Sequence, residues 1–142
     1  MTSVNTGRVI LGGLVAGAVI NVCDYLINNL LLAEAWQRLA QGHNIDQTVM
    51  GGTAAFATFV TIDFLLGVLV VWFYAAIRPR YGPGPSTAVI AAFGVFSAYI
   101  LMLATFGGWF LSWDLFIKMA GLLLVTFVAA GLAGAVLYRE AP

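Results

Sequence analysis

Four long apolar runs decide what this chain can become, spanning roughly 9–33, 54–77, 86–107 and 113–137. Each exceeds the ~20 residues that carry a helix across a hydrocarbon layer about 30 Å thick. None contains an internal proline. Inside such a layer every backbone N–H and C=O must bond within the protein, so helices are the expected state of all four runs. The expectation is an all-α four-helix transmembrane bundle with antiparallel up-down topology, a single integral membrane domain over 1–142. Composition agrees. The chain is 62% hydrophobic and 8% charged, whereas soluble domains average about 45–50% and ~25%. The implied partner is the lipid bilayer. A net charge of zero gives no reason to expect nucleic acid.

The boundaries have local signals. Pro79, Pro83 and Pro85 all fall between the second and third runs. Arg78 precedes a proline, which biases it away from helix and puts the end of the second span there. Residues 79–86 then read as a short, stiff loop, with Ser86 or Thr87 capping the next helix. Arg8, Arg78, Arg80 and Arg139 lie on one side of a four-span chain, with Arg38 alone among arginines on the other. The positive-inside rule therefore predicts an N-in/C-in arrangement, with both termini cytoplasmic. The outer loop 34–53 is the longest. Its opening segment 34–41 is amphipathic, with Trp36 and Leu39 on one side and Glu34, Gln37, Arg38 and Gln41 polar. Gly42 reads as its C-terminal cap, followed by loop or turn to Gly52. The first helix thus either continues past the membrane surface or bends to lie on it. Trp109, Phe110 and Trp113 form an interfacial aromatic belt at the other outer turn. The apolar run ahead of Ala16-Gly17-Ala18 is short and the hydrophobic stretch continues beyond it, so the first segment reads as retained rather than cleaved.

The first run is interrupted by Asn21, Asp24, Asn28 and Asn29. An aspartate at mid-membrane costs about 2.5–3.5 kcal/mol on insertion scales, so it must face other helices or a wet cavity. Gly13, Gly17, Asn21, Asp24 and Asn28 share one stripe at helical spacing. The glycine half of that stripe permits close helix approach, and Gly67 and Gly121 are the packing candidates on the second and fourth helices.

Asp63 interrupts the second run. Counted from the outer ends of their helices, Asp24 and Asp63 both lie ~13–15 Å deep at ~1.5 Å per residue. Tyr99 on the third helix has a similar depth, and Lys118 on the fourth lies ~9 Å deep with a flexible stem. Asp24, Asp63, Lys118 and Tyr99, with Asn21 and Asn28 along the path, are the candidate binding or translocation residues. Two carboxylates sharing one lysine would leave one acid able to take up and release a proton. Plainer readings stand beside this one. Lys118 follows Asp114 by four residues and can pair with it along the helix. Asp63 can be neutral and bonded to a threonine or asparagine. Tyr99 drops out of the cluster if the third helix turns Gly94, Ser97, Leu101, Thr105 and Gly108 inward.

Other chemistry is poorly represented. One cysteine, Cys23, excludes an internal disulfide, and one histidine, His43, excludes a bis-histidine haem site within the chain. His43, Asp46 and Glu34 are a poor metal set. No nucleophile triad, zinc helix or phosphate loop occurs, so neither an enzyme nor a cofactor is expected. Two functions remain: a small proton- or solute-translocating bundle, or an accessory or assembly subunit of a larger membrane complex. A chain this small encloses little cavity, so either reading favours a homo-oligomer or a partner membrane subunit.

The stretch Trp72 to Ala88, WFYAAIRPRYGPGPSTA, and the start GGLVAG at Gly12 to Gly17 resemble a recurring signature of small, uncharacterised bacterial four-span membrane proteins. The resemblance implies this topology and a bacterial inner-membrane location, and no functional residues. Small multidrug exporters are similar only in size and in an acid on the first helix, and the arginine bias argues against their dual-topology assembly.

Overall fold

The computed structural model describes residues 4–46 and 51–140. Its elements are α1 (Thr6–Leu26), a π-helical turn (Ile27–Leu31), α2 (Ala33–Gly42), α3 (Thr53–Tyr81), α4 (Pro85–Ala104) and α5 (Trp113–Leu137). No strand occurs among the described residues. Among the described residues four apolar segments are long enough to cross a membrane: Thr6–Leu31, Thr53–Tyr81, Pro85–Ala104 and Trp113–Leu137. Part of the expected outer loop, residues 47–50, lies outside the described residues.

Two helices, α1 and α5, start on a capping side chain. Asn5 Oδ1 accepts from the Arg8 amide at 3.1 Å, and Ser112 Oγ from the Leu115 amide at 3.3 Å. Several ends differ from the sequence expectation. α3 does not stop at Arg78 but runs through Pro79 to Tyr81. Pro79 falls in the last turn, where a missing N–H matters least, and the Gly82 amide closes that turn on the Arg78 carbonyl at 2.8 Å. Thr87 does not cap α4. Its hydroxyl donates back to the Gly82 carbonyl at 2.7 Å, holding the loop against the helix, and Gly84 takes the cap position. α4 ends at Ala104, short of Gly107. α2 retains Gly42 as its last residue, and the left-handed position falls on Asn44, φ 52°.

α1 packs against α3 and α5, α4 packs against α5 and α3, and α3 also touches α5. In cross-section this is a rhombus with α1 and α4 at the far corners. The half near the termini has a core of small residues such as Ala16, Ala75, Ala88, Ala91 and Ala130. The half near α2 is filled by Leu115, Leu123, Phe96 and Phe127.

The tightest seam is α1 on α3. A Cβ added to Gly67 would stand 2.5 Å from the Gly13 carbonyl oxygen, and one added to Gly17 would stand 2.7 Å from Phe64 Cα. Backbone therefore meets backbone, as the glycine stripe implies. A second seam, which the stripe does not reveal, joins α1 to α5. A Cβ on Gly134 would meet the Gly12 carbonyl oxygen at 2.8 Å. Gly121 is the exception among the four packing candidates. Nothing lies within 4 Å of its added Cβ, because it is on the exposed side of α5.

Candidate functional site

The α1–α3 seam fixes where the polar groups lie. A Cβ at Gly13 would meet Val68, one at Gly17 would meet Phe64, and the Asn21 amide reaches the Val60 carbonyl at 3.4 Å. α1 thus rises as α3 descends, four residues against four. Continuing that register sets Asp24 level with Ala57. The two aspartates are therefore offset by about six residues, or ~9 Å along the axis, where equal depth was expected. The offset arises because α3 starts lower than Ala33, level with Asn28.

The offset is partly closed by side-chain direction. Cα–Cβ bonds tilt toward a helix's N-terminus. On antiparallel helices this leans Asp24 and Asp63 toward each other. Their carboxylates lie within electrostatic reach of one another, and the Tyr99 hydroxyl lies within reach of both. Tyr99 gets there because α4 turns Leu101 outward, 69% exposed, and packs the tyrosine ring on Phe127 with centroids 5.9 Å apart. Asp24, Asp63 and Tyr99 thus share one region of the bundle, within electrostatic range of one another and with no hydrogen bond between them.

Lys118 lies outside that region. Its Nζ donates to Asp114 Oδ2 at 2.8 Å, and its side chain is 62% exposed. The lysine therefore is not the counter-ion of the buried acids. It sits on the outward face of α5 near the start of the span and takes the neighbour one turn away, its flexible stem letting the charge reach toward the surface.

The asparagines are committed to structure. Asn21 donates to the Gly17 carbonyl at 2.9 Å and spans to α3. Asn28 Nδ2 donates to the Asp24 carbonyl at 3.0 Å, while its Oδ1 accepts from Trp36 Nε1 at 2.8 Å. Asn29 donates to the Tyr25 carbonyl at 3.0 Å. These bonds occur where the helical ladder widens to the π turn. There the Leu32 amide bonds the Ile27 carbonyl at 2.8 Å. Asparagine readily makes such local backbone bonds, and the paired Asn28-Asn29 is the signal that sequence reading left unused. Leu32, at φ −112°, then lets α2 bend away from α1, and the Trp36–Asn28 bond pins it.

Asp63 is left without such service. It is 8% exposed. The threonines of the same helix do not serve it: Thr58 donates to the Ala54 carbonyl at 2.8 Å and Thr61 to the Ala57 carbonyl at 2.7 Å, both on the exposed side of α3. Among the described residues no hydrogen bond or ion pair holds its carboxylate. The reading in which a threonine or asparagine satisfies Asp63 is therefore not realised.

A separate groove of about 900 Å³ opens at the α2 end of the molecule. One wall is α2 with Glu34 and Arg38, and the other is the start of α5 with Asp114 and Lys118. Neither Asp63 nor the half-buried Asp24 lines it. Among the described residues no three His, Cys, Asp or Glu side chains converge as a metal site. Comparison of the chain with family models, curated proteins and solved structures finds no match.

Proposed function

We propose that Asp63, with Asp24 and Tyr99, binds a proton or a monovalent cation within the membrane, and that the chain is a small translocating bundle built around this site. The observation that carries the reading is Asp63 itself, buried mid-span with a second acid nearby and no side chain paired to it. An acid in that position needs a positive partner. Lys118 is engaged elsewhere, so the partner comes from solution. Asn21, level with the interval between the two acids, spaces α1 from α3 along the path. The arginines Arg8, Arg78, Arg80 and Arg139 at the termini end support cytoplasmic termini. The extensive exposed apolar surface of every span fits contact with the lipid bilayer; a homo-oligomer or a partner membrane subunit remains part of the proposal because so small a bundle encloses little cavity.

The test is flux in liposomes containing a pH-sensitive or sodium-sensitive dye, under an imposed potential. Wild type is expected to carry protons or one alkali cation, and Asp63→Asn to lose at least nine-tenths of that flux while keeping its helical content. Equal flux in the two proteins, or none from wild type with any of these ions, rejects the proposal. Stoichiometric recovery with a foreign membrane subunit would instead support the accessory reading.

A further inference from the structure

We propose that the groove between α2 and the start of α5 seats a zwitterionic phospholipid of the ethanolamine class, with its phosphate and amine held between the two walls. The groove holds about 900 Å³, at the upper end of the range for built ligand sites, ~300–1,000 Å³. Its floor is apolar, formed by Leu32, Leu39 and Leu115, with Leu30 and Leu31 open beside it. Its rim is charged, and each wall carries one cation and one anion. Arg38 Nη2 lies 3.7 Å from Glu34 Oε2, and Lys118 Nζ lies 2.8 Å from Asp114 Oδ2. A ligand with an acyl chain below and both charges above matches that order.

The charges are available to it. Both pairs join residues four apart on one helix, and all four side chains are at least 62% exposed. Exposed pairs of this kind are worth only about 0.3–0.5 kcal/mol, so opening one to face a phosphate costs little. Arg38 and Lys118 then approach the phosphate from opposite walls, and Glu34 and Asp114 take the ammonium. A purely anionic headgroup would leave those two carboxylates facing like charge. The groove is therefore selective for the zwitterion. This site is separate from the buried acids and stands whether or not they carry ions.

The experiment is native mass spectrometry of the intact protein. It is released from detergent with added dioleoyl-phosphatidylethanolamine, dioleoyl-phosphatidylglycerol or water-soluble glycerophosphoethanolamine. One ethanolamine lipid per chain is expected on wild type, and at least tenfold less on the double variant Arg38→Gln/Lys118→Gln. Equal retention of the glycerol lipid, equal retention by the variant, or displacement by the soluble headgroup at matched concentration overturns the proposal. A photoactivatable ethanolamine lipid on wild type gives an independent readout. Its label is expected within 30–43 and 110–118, and labelling confined to other segments also overturns it.

Discussion

Gly67→Ala adds one methyl group at the point where α1 and α3 touch. The new Cβ would fall closest of all to the Gly17 amide nitrogen and would stand 2.5 Å from the Gly13 carbonyl oxygen, whereas ordinary contact begins at 3.4 Å. Both obstacles are backbone, so neither can rotate aside. α1 must retreat by roughly 1 Å, and a radial gap of that size forfeits about half of each dispersion contact it opens. The loss spreads along the seam to Val68, Phe64 and the 3.4 Å reach of Asn21 to Val60. Overpacking of this kind typically costs 1–3 kcal/mol, and the rigidity of both obstacles argues for the upper half, about 2–3 kcal/mol. The assay is reversible unfolding in mixed micelles as the fraction of denaturing detergent rises, followed by far-ultraviolet circular dichroism. Gly121→Ala is the matched control, since its added Cβ meets nothing within 4 Å. A Gly67→Ala protein within about 0.5 kcal/mol of wild type, or no worse than Gly121→Ala, would refute the backbone-on-backbone account of the seam.

Two further outcomes are expected. Trp36→Phe removes the donor that Asn28 Oδ1 receives at 2.8 Å. A neutral bond of this kind contributes about 0.5–1.5 kcal/mol. Amide exchange over 33–42 should therefore quicken several-fold while the spans stay protected, and unchanged exchange there would show that apolar contact alone docks α2. Lys118→Gln removes an exposed pair with Asp114. Its unfolding free energy should shift by less than about 0.5 kcal/mol, whereas a loss of 2 kcal/mol or more would return Lys118 to the buried acids as their counter-ion.

The sequence discloses the spans because hydrocarbon leaves the backbone only one choice, and length and apolarity are local properties. Gly13, Gly17 and Gly67 are legible for a related reason, since small residues at helical spacing have few other uses in an apolar segment. Gly121 misleads because a small residue on one helix says nothing of which face the bundle turns inward. The Gly12–Gly134 seam is hidden for the same reason, as it depends on the azimuth of α5. Depth failed more instructively. Counting residues from each span's end assumes that neighbouring helices end level, and the π turn and the low start of α3 break that assumption. Lys118 was ambiguous because both of its partners satisfied every sequence rule, and only exposure separates them.

The distribution of polar bonds gives the buried acids their meaning. Asn21, Asn28, Thr58 and Thr61 each spend their donors on backbone carbonyls, which stabilises helices and seams. Such residues are tolerated in a membrane because they complete the backbone's own bonding. Asp63 completes nothing of that kind, and an apolar side chain at the same place would pack without the ~2.5–3.5 kcal/mol that an aspartate costs at mid-membrane. No side chain among the described residues relieves that cost with a hydrogen bond or an ion pair, and the charge that acts on it is another acid. On the reading proposed above, a proton or cation from outside the chain completes the acid, and a partner that is not built into the chain is free to leave, as translocation requires.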